Sequence, residues 1–103
     1  MTNRSPLPNR RYGENFEIKH GGQNASFIIT VGRYPDGAIG EVFITWSKSG
    51  SAFDAVARDG AILLSLALQH KVPLETIKHA MTREADGSAS TIVGAVVDKL
   101  CAS

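Results

Sequence analysis

The stretch Lys48-Ser49-Gly50-Ser51-Ala52-Phe53-Asp54 combines a lysine with a glycine flanked by hydroxyls at the point where a helix begins. Free N–H groups at a helix start, a glycine that lets an oxyanion approach and a cation to balance it together make an anion site. The same residues also start helices that bind nothing. Ser51 stands three residues before Asp54 and resembles a capping box, with aspartate in the usual Glu/Gln place. Lysine precedes glycine, so the GxxxxGK[ST] order of a P-loop is absent, and Asp54 in the first turn repels an anion. A helix start is therefore the first reading, and an anion or nucleotide site using Lys48 to Ser51 is the alternative. Asp54 and Arg58 stand at i, i+4, the spacing of a surface ion pair on a helix.

Other candidates for chemistry are weaker. His20, His70 and His79 are far apart, with no i, i+4 pair around a glutamate, so no metal site is expected. His70 ends a long helix, where a partly positive ring suits the dipole, and His79 beside Lys78 reads as solvated. Cys101 is the single cysteine, which excludes an intrachain disulfide and a cysteine cage. No serine sits in a nucleophile motif such as GxSxG. The segment Thr82 to Gly87 mixes charges in a loop without a spacing that demands chemistry. Arg4, Arg10 and Arg11 next to Tyr12 form a short basic cluster suited to phosphates or to a partner's carboxylate. A net charge of +1 lacks the broad basic face of a nucleic-acid binder.

The elements that must position these residues follow from periodicity. Residues 1–13, with Pro6, Pro8 and no period, read as a flexible basic arm, and 14–103 as one domain. Glu14 to His20 alternates, with Phe16 and Ile18 on one side. After a tight turn at Gly21 to Asn24, Ala25 to Gly32 puts Phe27, Ile29 and Val31 on one face and Ser26, Ile28 and Thr30 on the other. Tyr34-Pro35-Asp36-Gly37 is a hairpin turn, followed by a strand from Ile39 to Trp46 with Val42, Ile44 and Trp46 on one face. The period then changes. Phe53, Val56, Ala57, Gly60, Leu63, Leu64, Ala67 and Leu68 mark one face of a helix from Ser51 to His70, with Ile62 and Leu66 off that face. Val72-Pro73 restarts the chain into a short helix carrying Leu74, Ile77, Ala80 and Met81. Residues 84–88 break it, and Ile92 to Leu100 gives a third helix. No internal repeat is evident. The expectation is an α+β fold, a three-stranded antiparallel meander followed by three helices packed on one face (β-β-β-α-α-α).

With 103 residues, 43% hydrophobic and 20% charged, the chain has ordinary globular composition and buries roughly two-thirds of its extended surface without crosslinks. The longest apolar run, Ala61 to Leu68, falls well short of the ~20 residues of a membrane span. The arginines near the start are not followed by an apolar segment, so no secretory signal is read and a cytoplasmic location is expected.

Several segments in order, Leu7-Pro8-Asn9-Arg10-Arg11, Gly32 to Gly37, Gly40 to Ile44, Lys48 to Ser51, Ser65 to Gln69 and Val72 to Glu75, resemble the TSCPD domain over about Leu7 to Leu100. That domain sits near the C-terminus of adenosylcobalamin-dependent ribonucleotide reductases and also occurs alone. The namesake Thr-Ser-Cys-Pro-Asp would fall on Gly50 to Asp54, where only Ser51 and Asp54 are kept and Ala52 replaces the cysteine. A metal or redox role of that cysteine does not carry over. A lone Cys101 cannot serve as the cysteine pair of a reductase tail, and the chain is too short for the reductase barrel or a cobalamin pocket. The resemblance implies a non-catalytic binding or regulatory module without a cofactor, docking on a protein partner such as a ribonucleotide reductase. The residues expected to bind are Arg10, Arg11, Lys48, Ser49, Gly50, Ser51, Asp54 and Arg58. A long helix that is apolar beyond one face also suggests a homodimer.

Overall fold

The computed structural model describes residues 12–21, 25–46 and 52–102. Strands β1 (Tyr12–Lys19), β2 (Ser26–Arg33) and β3 (Ile39–Trp46) precede helices α1 (Ala52–Gln69), α2 (Leu74–Ala80) and α3 (Ile92–Ala102). The strands form one antiparallel sheet in the order β1-β2-β3. This is the α+β meander that the periodicity predicts. β1 begins at Tyr12, so Tyr12 and Gly13 belong to the sheet, a correction to the arm boundary expected at residue 13. Arg10 and Arg11 lie outside the described residues.

Alternation assigns the faces as predicted. Phe27, Ile29 and Val31 of β2 and Val42 and Ile44 of β3 are buried on the inner face. Ala57, Ala61 and Leu64 of α1 and Ile92, Val96, Val97 and Leu100 of α3 complete the same core. Each large aliphatic or aromatic side chain so buried contributes about 1.5–3 kcal/mol before entropy is counted. On the other face, Ile28 and Phe43 are exposed.

α1 does more than cover the sheet; it also closes an edge. The Ser65 hydroxyl accepts the Val42 N–H at 2.8 Å and lies 3.0 Å from the Val42 carbonyl and 2.8 Å from the Ala61 carbonyl. Its single proton therefore serves two acceptors in turn. One turn on, Gln69 Nε2 donates to the Gly40 carbonyl at 2.8 Å. These side chains satisfy backbone groups that β3 would otherwise offer to a foreign strand.

That edge contact overturns the predicted orientation of α1. The buried residues are Asp54, Ala57, Ala61, Leu64, Ser65 and Gln69, whereas Phe53, Val56 and Leu63, expected inside, are exposed. Hydrophobic periodicity places the largest apolar side chains inward. The unpaired edge of β3 instead turns Ser65 and Gln69 inward, and the whole face rotates with them.

The ends of the helices have local explanations. Val72 N–H bonds the Ala67 carbonyl and Lys71 N–H the Leu68 carbonyl, a Schellman motif with Lys71 in the left-handed position at φ +67°. α3 is capped by Thr91, whose hydroxyl accepts the Gly94 N–H at 3.0 Å. α1 and α3 approach closely at Gly60, where an added Cβ would stand 2.5 Å from Val93 Cγ2.

Candidate functional site

The predicted site is only partly brought into view. Lys48, Ser49, Gly50 and Ser51 lie outside the described residues, as do Arg10 and Arg11, so the capping pair of Ser51 with Asp54 does too. Asp54 and Arg58 are both present in the first turns of α1, with Arg58 Nε 3.2 Å from Asp54 Oδ2. The i, i+4 pair is real, but it is not the surface pair expected: the Asp54 side chain is only 7% exposed, against 55% for Arg58. Asp54 sits where the positive end of the α1 dipole favours an anion, and Arg58 leaves that carboxylate toward solvent.

The residues on either side of 47–51 are held by an aromatic cluster. Trp46, the last residue of β3, meets Phe53, the second of α1, edge to face with centroids 5.4 Å apart. Phe27 of β2 stacks on Trp46 and tilts against Phe53, each at 5.9 Å. Such pairs contribute about 0.5–1.5 kcal/mol each beyond the area they bury. Ring contacts thus join the end of β3 to the start of α1. Periodicity had put Trp46 and Phe53 on inward faces without showing that they meet.

Along α1 an apolar margin remains open on the α3 side. Val56 and Leu63 are each 68% exposed. Beside them, Gly60, Ala67, Ile77, Met81 and Val93 line an almost wholly apolar groove of about 250 Å³ between the three helices. Small residues at 60 and 67 set its depth, and Leu63 and Ile77 stand among its walls.

Arg83, read from the sequence as a loop charge without a role, is the most heavily committed charge among the described residues. Its two terminal nitrogens grip both carboxylate oxygens of Asp98 at 2.9 and 2.7 Å. They also donate to the carbonyls of Gly87 and Lys78, each at 3.1 Å. One side chain thereby ties the C-terminal end of α2, the 84–88 loop and α3 together. The signal that could have revealed it is a recurrence: Arg33-x-x-Asp36-Gly37 and Arg83-x-x-Asp86-Gly87 share one spacing. Ser65 and Gln69 had a comparable signal, two polar residues at i, i+4 in or beside the apolar run 61–68.

The remaining titratable residues supply no second cluster. Among the described residues, no group of three or more His, Cys, Asp or Glu side chains is placed to hold a metal ion. His79 lies 3.6 Å from Glu75 on exposed α2, and His20 Nε2 is 3.5 Å from the Ser90 carbonyl. Cys101 packs against the core, and burial, then the nearby Glu75 charge, push its thiol above the ordinary range. That is the opposite of the electropositive setting of a reactive thiolate. Among the described residues no helix is long and apolar enough to cross a membrane.

Comparison with known proteins places this geometry. The chain is 43% identical over 79 residues to a vitamin B12-dependent ribonucleotide reductase of Agrobacterium fabrum, covering 77% of this chain and 6% of that protein. It is 37% identical over 82 residues to the reductase of Bradyrhizobium diazoefficiens, covering 80% of this chain and 6% of the relative. With the reductase of Streptantibioticus cattleyicolor it shares 40% identity over 73 residues, 71% of this chain and 12% of the other. The match is therefore to a small region within much longer proteins. No solved structure matches the chain. The TSCPD domain profile matches residues 2–101, nearly the whole sequence, and the chain belongs to the TSCPD domain family.

Proposed function

We propose that this chain is a non-catalytic docking module that binds a vitamin B12-dependent ribonucleotide reductase through the open side of α1. The observation that carries this reading is the pair Val56 and Leu63, two of the most exposed large aliphatic side chains, standing beside the apolar groove of α1, α2 and α3. Scattered exposed apolar residues need no explanation, but a contiguous apolar margin with a groove does. The relatives support this choice of occupant, since in them the matching region is 6–12% of a reductase chain. A reductase body of that size offers ample surface for the open side of α1 to meet.

The test is binding of the chain to a purified vitamin B12-dependent ribonucleotide reductase from the same genome, by interferometry. Val56→Asp and Leu63→Asp place charge in the contact and weaken binding at least ~10-fold, the range of a central apolar anchor. No binding by the wild type, or equal binding by both variants, would overturn the proposal. Calorimetry with nucleotides and phosphate is the companion experiment. Heat that survives Val56→Asp and vanishes in Lys48→Ala assigns the Lys48 to Ser51 turn as a ligand site instead.

A further inference from the structure

A second apolar surface lies on the flank of α1 that meets β3, roughly a quarter-turn from Val56 and Leu63, and its extent follows from the hydrogen bonds to β3. Around α1, Gly60 faces Val93 of α3, Ala61 and Leu64 enter the core, and Ser65 and Gln69 bond the edge of β3. At roughly 100° per residue, the next positions in that direction are Ile62 and Leu66, just past the strand edge. Gln69 bonds Gly40 and Ser65 bonds Val42, so the helix runs antiparallel to the strand, one helical turn for two strand residues. That register sets Ile62 level with Phe43.

Phe43 stands on the outer face of the sheet, opposite Thr30 and diagonal to Ile28. Ile62 is 54% exposed, Phe43 48%, Ile28 43% and Leu66 36%. The four join into one surface that runs from the outer sheet face across its closed edge onto α1. An antiparallel sheet with one wet face is ordinary; continuity with a helix margin is what sets this face apart.

We infer that this outer face binds a second copy of the same chain. Three strands and the flank of α1 present roughly 25 by 25 Å, on the order of 600 Å² in projection, close to the ~800 Å² of accessible surface that each partner buries in a standard interface. Charge sets the choice of partner. The centre, Ile28, Thr30, Phe43 and Thr45, is uncharged, and the charged residues stand around it: Glu17, Lys19 and Glu41 on the sheet and Arg58 and Asp59, of opposite sign, on the α1 flank. Glu17 is further engaged by the Ser26 hydroxyl. A two-fold contact lays the patch on itself, and an uncharged centre brings no like charges together there. This surface centres on the outer sheet face and adjoins the groove proposed for the reductase only where Leu66 neighbours Leu63, and neither reading depends on the other.

Sedimentation velocity on the full chain tests it. The wild type sediments as a dimer at about 0.1 mM, and Phe43→Glu, which sets two carboxylates against each other across the two-fold, raises the dissociation constant at least ~100-fold. Unchanged circular dichroism and thermal midpoint show that Phe43→Glu still folds. Thr30→Cys in a Cys101→Ala background forms an intermolecular disulfide at the centre of the face, and Val56→Asp leaves the dimer intact. A wild-type monomer at that concentration overturns the inference, as does a dimer that survives Phe43→Glu or one dissolved by Val56→Asp. Loss of reductase binding in Phe43→Glu with no change in self-association assigns the face to the reductase and also overturns it.

Discussion

Two loops in this protein are built on one plan and held in different ways. In the first, Tyr34 N–H bonds the Ala38 carbonyl, Gly37 N–H bonds the Tyr34 carbonyl, and Asp36 Oδ1 accepts the Ala38 N–H at 2.9 Å. In the second, Glu84 N–H bonds the Ser88 carbonyl, Gly87 N–H bonds the Glu84 carbonyl, and Asp86 Oδ1 accepts the Ser88 N–H at 2.9 Å. Gly37 and Gly87 have φ of +93° and +91°. In each, the arginine three residues before the aspartate donates to the glycine carbonyl. Five residues are enough to specify the turn, because aspartate and glycine satisfy its backbone locally.

The difference is in what the arginine holds besides the loop. Arg33 directs Nε and one terminal nitrogen to a single oxygen of Glu14, whose side chain is half exposed. Arg83 grips both oxygens of Asp98 and two carbonyls. The first loop joins two paired eight-residue strands, which hold it in register. The second is flanked by a single bridge between Arg83 and Ala89, so its arginine replaces the missing ladder. One local motif serves a hairpin in one place and a three-way clamp in another.

The sharpest way to break this comparison is to remove each arginine. Arg83→Leu takes the Arg83 donors from the Asp98 carboxylate and the Gly87 carbonyl, while the Lys78 carbonyl keeps the Met81 N–H, and lowers the thermal midpoint more than any other change named below. Arg33→Leu produces a clearly smaller drop, since exposed pairs contribute little. Equal drops would mean that the second loop is no clamp. The glycines give a control in which the loops behave alike. Gly37→Ala and Gly87→Ala each force alanine into a left-handed conformation with open space around it, costing about 1–2 kcal/mol in chemical denaturation. A large gap between those two costs would show that the turns are not locally specified.

Acid separates the loops further. The hydrogen bond from Arg83 holds Asp98 below the ordinary aspartate range; burial opposes it, and the charges of Arg83 and Lys78 add smaller lowering effects. A depressed carboxylate stabilises the fold fully above its unfolded pKa, and that stability is lost as pH falls through the folded value. Urea midpoints followed from about pH 6 to about pH 3 therefore decline in the wild type, and Asp98→Asn flattens part of that decline. The smallest effect expected is at Asp86. Its carboxyl is lowered first by the Ser88 hydroxyl at 2.6 Å and then by the Ser88 N–H, whereas the first loop has Ala38 in that place. Ser88→Ala raises the Asp86 titration by NMR and makes the second loop resemble the first.

Much of the fold was legible in the residues. Alternation in β2 and β3 assigned inner and outer faces correctly, Tyr34 to Gly37 announced the hairpin, and Pro73 marked the start of α2. The candidate site was less so. Arg83 and Asp98 are fifteen residues apart in sequence, and nothing in local spacing connects them. Val56 and Leu63 satisfied a helical period as well as any core residue.

The sequence alone determined whatever has a local cause: strand period, turn chemistry, helix starts and stops, and the family to which the chain belongs. Tertiary structure decided which side of α1 is buried, which arginine becomes a clamp and which apolar residues stay exposed. The reason is physical. Periodicity counts apolar side chains, but an open strand edge demands hydrogen-bond partners, and leaving its buried backbone groups unsatisfied costs about 1–3 kcal/mol each, enough to offset exposing Val56 and Leu63.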